Sequence, residues 1–308
     1  MKKIIRAILV LLLAFISPDG FAQEPSAKGV LTIGKATDEV TKTQKWLQPI
    51  ISYLASRLGD AGVERGEVVL AADNSSETIL KYLRERKIDM VIDTPFQIHA
   101  LVEQENAAPL LSAWRKGSKE YQAYIFSRKD GGITKLEDLK GKVIAFEDPG
   151  STSSYFLPKY TLKAMGLDLV ELESSDSSVP EGNIGYVFAG SEINISAWVF
   201  HGKVAAGALN DQDWEIQEHV PAAYREAFNI VGMTKKVPRM LLAVRGDLDR
   251  ELVRRIKEEL MNMHTREEGK KALSTRKLNK FEELPGGPEG VFEPIRDLLR
   301  IAKEEAEG

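Results

Sequence analysis

Ser151, Thr152 and Ser153 stand directly behind an Asp148-Pro149-Gly150 turn, which itself follows the apolar run Val143–Phe146. This order predicts a buried strand, a tight turn and a helix that opens on three consecutive hydroxyls. A helix start carries backbone N–H groups without intrahelical partners and a partial positive charge. An oxyanion placed there is held by N–H groups and hydroxyls together. Ser and Thr also cap ordinary helices, and for any one of the three residues that reading stays open. Three hydroxyls in a row exceed what a cap needs. A second helix start, Thr94-Pro95-Phe96, follows the strand-like Ile88–Ile92, with Thr94 suited to the cap and Pro95 to the first helical position.

The elements that must position these two helix starts alternate in type. Val30–Ala36 reads as a strand, Thr43–Leu58 as a helix with Trp46, Leu47, Ile50, Ile51 and Leu54 on one face, and Val68–Ala72 as a strand. Ser76–Arg86 then reads as a helix and Leu110–Trp114 as a strand, after which the polar stretch Arg115–Glu120 looks like a crossing into a second lobe. Within that lobe come strands at Tyr121–Ser127, Lys142–Phe146, Gly185–Phe188 and Val204–Leu209, with helices after Ser151 and at Ile193–Phe200. Asn229–Arg245 reads as strands broken by Pro238, Arg250–Met263 as an amphipathic helix, and Val291–Ala306 as a charged terminal helix. The pattern predicts an α/β chain of two lobes, each a mostly parallel sheet flanked by helices, joined by a hinge crossed twice. The boundaries read as 23–117 and 229–308 for a discontinuous first lobe and 118–228 for the second. Ligands of open α/β sheets bind beyond the carboxyl ends of strands and between domains, where both helix starts fall.

The first residues set the compartment. Lys2, Lys3 and Arg6 precede an apolar run from Ala7 to Ile16, and small residues reach Ala22, so residues 1–22 read as a secretory signal peptide. The run is too short to span a bilayer, so a chain exported to the periplasm without a membrane span is expected. The sequence has no cysteine, which removes a lipid-bearing Cys, disulfides and thiolate metal sites. Loss of residues 1–22 takes away three basic residues and one acidic one, moving the formal charge from −4 to −6. A mildly acidic chain without a basic block is a poor partner for nucleic acid. No cofactor and no metal is expected, and the chain is expected to be a monomer.

Motifs for catalysis are sparse. His99, His201, His219 and His264 are not spaced as a metal pair, and there is no Gly-x-Ser-x-Gly elbow or Gly-Lys-Ser/Thr phosphate loop. Ser274-Thr-Arg-Lys277 spells Ser-x-x-Lys within a charged stretch and reads as solvated loop. Trp46, Trp114, Trp198 and Trp214 could line a cleft for an organic ligand, and their apolar neighbours read instead as core. The chain is not expected to be an enzyme.

With Leu136–Val143, Ala145–Pro158, Ala189–Glu192 and Val199–Ala208 in this order, the sequence resembles the periplasmic phosphate/phosphite/phosphonate-binding proteins of ABC importers. The resemblance implies a type II periplasmic-binding fold closing on a phosphorus oxyanion, and delivery of that ligand to an ABC permease and its ATPase. An alternative with the same fold is a ligand sensor docking to a membrane kinase or chemoreceptor. The resemblance places the anion on Ser151, Thr152 and Ser153, with Thr94, Pro95 and Phe96 closing the opposite side and Tyr121 lining the cleft. Glu192, with Asn210 or Asp211, stands where family members that take aminophosphonates meet the ligand amine; a Glu192 that only faces solvent at a helix start is the other reading. Two departures stand out: Ser154 occupies a position usually held by Gly, and Thr94-Pro95 replaces a common Gly-Pro.

Overall fold

The computed structural model describes residues 29–104 and 107–307, so the expected signal peptide at 1–22 lies outside the described residues. The first lobe begins with β1 (Val30–Ala36), α1 (Val40–Arg57), β2 (Arg65–Ala71), α2 (Ser76–Arg84), β3 (Met90–Asp93), α3 (Pro95–Glu103) and β4 (Ala107–Arg115). The chain then passes through the two-residue β5 (Glu120–Tyr121) into the second lobe. There it forms β6 (Ala123–Arg128), β7 (Val143–Phe146), α4 (Leu157–Ala164), β8 (Leu169–Glu171), β9 (Ile184–Phe188), α5 (Glu192–Phe200) and β10 (Ala206–Asn210). The short helices α6 (Asp211–Trp214) and α7 (Ala222–Ala227) lead to β11 (Phe228–Met233). The chain returns through β12 (Val237–Pro238) to β13 (Met240–Arg245), α8 (Arg250–Met263), α9 (Glu267–Ser274), β14 (Leu278–Glu282), α10 (Gly287–Gly290) and α11 (Arg296–Glu307).

Each lobe is built on a six-stranded sheet, ordered β14-β4-β13-β3-β1-β2 in the first and β11-β6-β10-β7-β9-β8 in the second. The sheets are mixed rather than mostly parallel. β1 to β3 run parallel, as do β7 to β10, whereas β13, fed from the hinge, runs antiparallel to β3 and β4, and β6, also fed from the hinge, runs antiparallel to β10 and β11. A strand that starts at the hinge must run opposite to one that ends there. β5 and β12 pair antiparallel, so the two crossings form a small sheet of their own.

The expected return at residue 229 is too early. β11 completes the second sheet against β6, and the crossing falls at residues 234–239. Phe228 explains the displacement, since its ring packs 5.0 Å from Phe126 and 6.2 Å from Trp214 in the core of that lobe. The terminal helix expected over Val291–Ala306 is also divided, by a 3-10 turn at Glu293–Ile295 that holds Pro294, where a missing N–H interrupts a continuous helix.

Apolar layers cover both faces of each sheet. In the first lobe α1 contributes Trp46, Leu47, Ile50, Ile51 and Leu54, all at 2% exposure or less, on the side shared with α8 and α9. The other face packs under α2, α3 and α11, and this layer takes in Phe156 and Leu157 from the second lobe. α11 therefore touches both lobes, and its Glu305 lies 3.2 Å from Lys159 and 3.3 Å from Lys163. Beneath the first sheet, buried Asp89 accepts hydrogen bonds from the Thr32 N–H and hydroxyl at 2.9 Å and from Arg245 at 3.0 Å, tying β1, β3 and β13 together.

Candidate functional site

β1, β3 and β4 end at the hinge, and so do β7, β9 and β10 from the facing lobe. Between them lies a cavity of about 740 Å³. The segment after β7 shapes one wall. Ser151 caps the helical turn that follows, its hydroxyl accepting from the Ser154 N–H at 3.1 Å while donating to Glu147 at 2.8 Å. That turn, Thr152–Phe156, is a π-type turn leading into α4. Such wide turns leave part of the backbone outside the ordinary helical ladder and recur at functional sites.

Thr94 begins α3 on the opposite wall. Its hydroxyl makes no cap bond to its own helix and instead accepts a 2.8 Å hydrogen bond from the Thr152 hydroxyl. Asp93, one residue earlier, forms an ion pair with Lys35 and accepts from the Thr94 N–H at 2.8 Å. Asn210 is spent on structure: its carbonyl accepts from the N–H groups of Gln212 and Asp213, and its amide donates to Asp213 and, at 3.4 Å, to Ser153. It caps α6 and braces Ser153. Glu192, at the start of α5, faces the cavity rather than open solvent.

The structure thus brings Ser151, Thr152, Ser153 and Thr94 to one cavity, with Tyr121, Glu192 and Asn210 on its margin. Pro95 and Phe96 do not reach it. Phe96 stacks on Phe156 at 3.8 Å and closes the apolar contact between the lobes, and Pro95 is buried in the first turn of α3. Asp211 also lies off the cavity, as do the four tryptophans. Ser154 is buried with its hydroxyl unpartnered, so it too belongs to the wall behind the site.

Charged residues that motif spacing did not reveal supply much of the lining. Arg115 ends β4, Arg239 follows β12, and Arg276 follows α9. The Arg239 guanidinium lies 4.4 Å over the Tyr121 ring, and Arg276 lies 5.4 Å from the centre of the Trp46 ring. Burial lowers Arg115 to about 10, and repulsion from Arg276 and Arg239 adds to the effect. Burial pushes the Tyr121 hydroxyl up to about 12, opposed by Arg239. Across the cavity, burial raises Glu147 to about 7, with Glu192, Asp148 and Asp213 reinforcing the shift and the Ser151 hydroxyl opposing it. The sequence marks these positions only in part: Arg115 opens the polar stretch that reads as a crossing and Glu147 is the last residue before the Asp-Pro-Gly turn, whereas Arg239 lies at a crossing that only strand pairing reveals.

Glu192, Asp213 and His219 offer atoms within 4.8 Å of one another, a spacing that a cation could use. The Lys116 ammonium already stands 3.0 Å from Asp213, bridging the hinge to α6.

A family model described as ABC transporter, phosphonate, periplasmic substrate-binding protein matches residues 36–285. A phosphate-import protein, PhnD, of Mycolicibacterium smegmatis is 26% identical over 167 residues; the match covers 53% of this chain and 49% of that protein, so it spans about half the relative's length. Among solved structures, XAC2383 from Xanthomonas citri is 28% identical. Its chloride-bound form superposes with a TM-score of 0.82, covering 90% of this chain and 99% of that one, and its ATP-bound form with 0.81, covering 89% and 98%. PhnD1 from Prochlorococcus marinus, in complex with methylphosphonate, shares the fold at a TM-score of 0.62 and 18% identity, covering 90% of this chain and 99% of that one.

Proposed function

Because the chain belongs to the family of periplasmic substrate-binding proteins of phosphonate ABC transporters, we propose that it captures a phosphorus oxyanion in the cavity between its lobes and presents the closed form to a membrane permease. The observation that carries this reading is the meeting of Thr94 and Thr152, hydroxyls from opposite lobes, at the wall of that cavity. Oxygens of a tetrahedral anion accept hydrogen bonds from both walls at once, with the N–H groups at the start of the Thr152 turn adding donors. Closure excludes water and strengthens each bond, so binding energy is coupled to the closed state. The phosphate-import relative from Mycolicibacterium smegmatis and the Xanthomonas citri structure with ATP both support a phosphorus oxyanion as the recognised group.

The hinge of paired β5 and β12 supports closure as a rigid motion of the lobes, with few backbone torsions absorbing the change. Among the described residues no helix is long and apolar enough to cross a membrane. The permease therefore provides the membrane passage in this reading, and a difference in its affinity for open and closed forms provides the selection.

Thermal unfolding with phosphate, phosphite, methylphosphonate and sulfate tests the proposal. A ligand that binds only the native state raises the midpoint in proportion to RT ln(1 + [L]/Kd). The expected result is a concentration-dependent rise with at least one phosphorus oxyanion and a smaller one with sulfate. No rise with any phosphorus oxyanion contradicts the reading.

A further inference from the structure

Six cationic side chains line the cavity, and three of them are neutralised where they stand: Lys35 pairs with Asp93, Lys42 with Glu39 and Lys116 with Asp213. Arg115, Arg239 and Arg276 are left. None of the three has a carboxylate within ion-pair distance among the described residues, and the Nε of each is buried without a hydrogen-bond partner. Arg239 is only 6% exposed. Arg239 is buried and Arg115 and Arg276 are half-buried with carboxylates only beyond pairing distance, and guanidiniums that repel one another without a direct partner are costly to hold together. The unpaired carboxylates Glu147, Asp148 and Glu192 belong to the opposite lobe, and Glu147 is already engaged by Ser151.

From this we infer that the cavity holds two anion subsites, the Thr94/Thr152 hydroxyl wall for one phosphorus group and the Arg115/Arg239/Arg276 cluster for a second, so that the ligand carries a diphosphate. The inference rests on the proposed capture of a phosphorus oxyanion and narrows it. Guanidinium groups present paired N–H donors that match phosphate oxygens, and they retain their charge where an ammonium would be neutralised by burial. The two subsites differ in kind and adjoin through Tyr121, which lies under the Arg239 guanidinium and bonds the Thr152 hydroxyl, as neighbouring phosphorus groups of one ligand require. A single tetrahedral anion is satisfied by hydroxyls and N–H groups, whereas a neighbouring second charge calls for fixed cations. The cavity, at about 740 Å³, lies within the range of about 300–1,000 Å³ filled by small organic ligands, well beyond the needs of one oxyanion.

Calorimetry of the mature chain with methylphosphonate, pyrophosphate and ADP, at constant pH and ionic strength, separates the possibilities. Pyrophosphate is expected to bind about tenfold or more tightly than methylphosphonate. Arg276→Gln and Arg239→Gln are expected to collapse that preference, lowering pyrophosphate affinity about tenfold more than methylphosphonate affinity. Arg276 is partly exposed, so its variant remains informative even where the buried Arg239 variant unfolds. ADP binding at parity with pyrophosphate assigns the diphosphate to an ester, and much weaker ADP binding assigns it to the free anion; the shared group is the same. Methylphosphonate binding with no preference for pyrophosphate, or arginine variants that weaken both probes alike, overturns the second subsite and leaves the proposed function standing. A folded protein that binds none of the three probes overturns both.

Discussion

The hydroxyls of Thr94 and Thr152 lie 2.8 Å apart, although one begins α3 in the first lobe and the other opens the turn before α4 in the second. Each is freed from its own helix to make the contact: Thr94 forms no cap bond, and the cap of the following turn is Ser151. The two lobes therefore meet through donors that an anion can take over when it enters. In the proposed function this hydroxyl pair joins the lobes and also supplies donors to the anion.

Thr152→Val, nearly isosteric and without the hydroxyl, should weaken methylphosphonate binding by about 1–3 kcal/mol by leaving a buried acceptor unpaired. Thr94→Val should weaken it to a similar degree. Calorimetry of both single variants and the double variant measures their coupling, which should be clearly non-additive for groups in contact. Unchanged affinity in Thr152→Val removes that residue from the site.

Glu147 makes the cleft sensitive to pH. Burial, with Glu192, Asp148 and Asp213 adding, holds its carboxyl at about 7 against an ordinary value of 4.5. The folded chain keeps a proton that the unfolded chain releases, so stability present below about pH 4.5 is lost as pH rises through about 7. Glu147→Gln should match the wild type near pH 4 and exceed it by about 1–3 kcal/mol at about pH 8, read from urea unfolding. Anion affinity of the wild type should fall over the same interval, because an ionised carboxylate then faces the ligand, and the variant should show a flatter profile. Identical pH profiles in wild type and variant would falsify this role.

Asp89 should matter for stability without touching the site. It is 1% exposed and ties Thr32 to Arg245 across three strands. Asp89→Ala leaves buried Arg245 paired with Asp247 alone and strands the Thr32 hydroxyl and N–H donors, and should cost about 2–4 kcal/mol in denaturant unfolding. A loss below about 1 kcal/mol would mean that the network contributes little.

Glu305→Gln tests the contact of α11 with both lobes. Burial raises the Glu305 carboxyl, and the Tyr160 hydroxyl together with Lys159 outweighs it, leaving the group below its ordinary value. The neutral variant leaves buried Lys159 without its carboxylate and should lower stability at neutral pH by about 1–2 kcal/mol. The deficit should shrink in acid, because a lowered carboxyl contributes stability that is lost as pH falls through its folded value. A deficit that is the same at every pH contradicts the ion-pair origin.

Much of the architecture was legible because periodicity and punctuation are local. Val30–Ala36 and Arg250–Met263 match β1 and α8 end to end, and the Asp-Pro-Gly turn marks the start of the hydroxyl wall. The place of β11 is not legible because Asn229–Arg245 carries two apolar stretches around a polar break, and only pairing with β6 decides which sheet the first of them joins. Hydroxyls at helix starts carry their own sequence signature. The arginines do not: Arg115, Arg239 and Arg276 come from three distant segments, and only the folded chain reveals that they converge without counter-charges. The family resemblance puts Phe96 on the closing side of the site, whereas in the structure its ring stacks on Phe156 and does not line the cavity.

A crystal structure of the protein with methylphosphonate tests the central claim most directly. Phosphonate oxygens are expected about 2.6–3.2 Å from hydroxyls of both lobes, Thr94 on one side and Thr152 with Ser153 on the other. A methylphosphonate seated outside this cavity, or held by one lobe alone with Thr94 and Thr152 still bonded to each other, would contradict it.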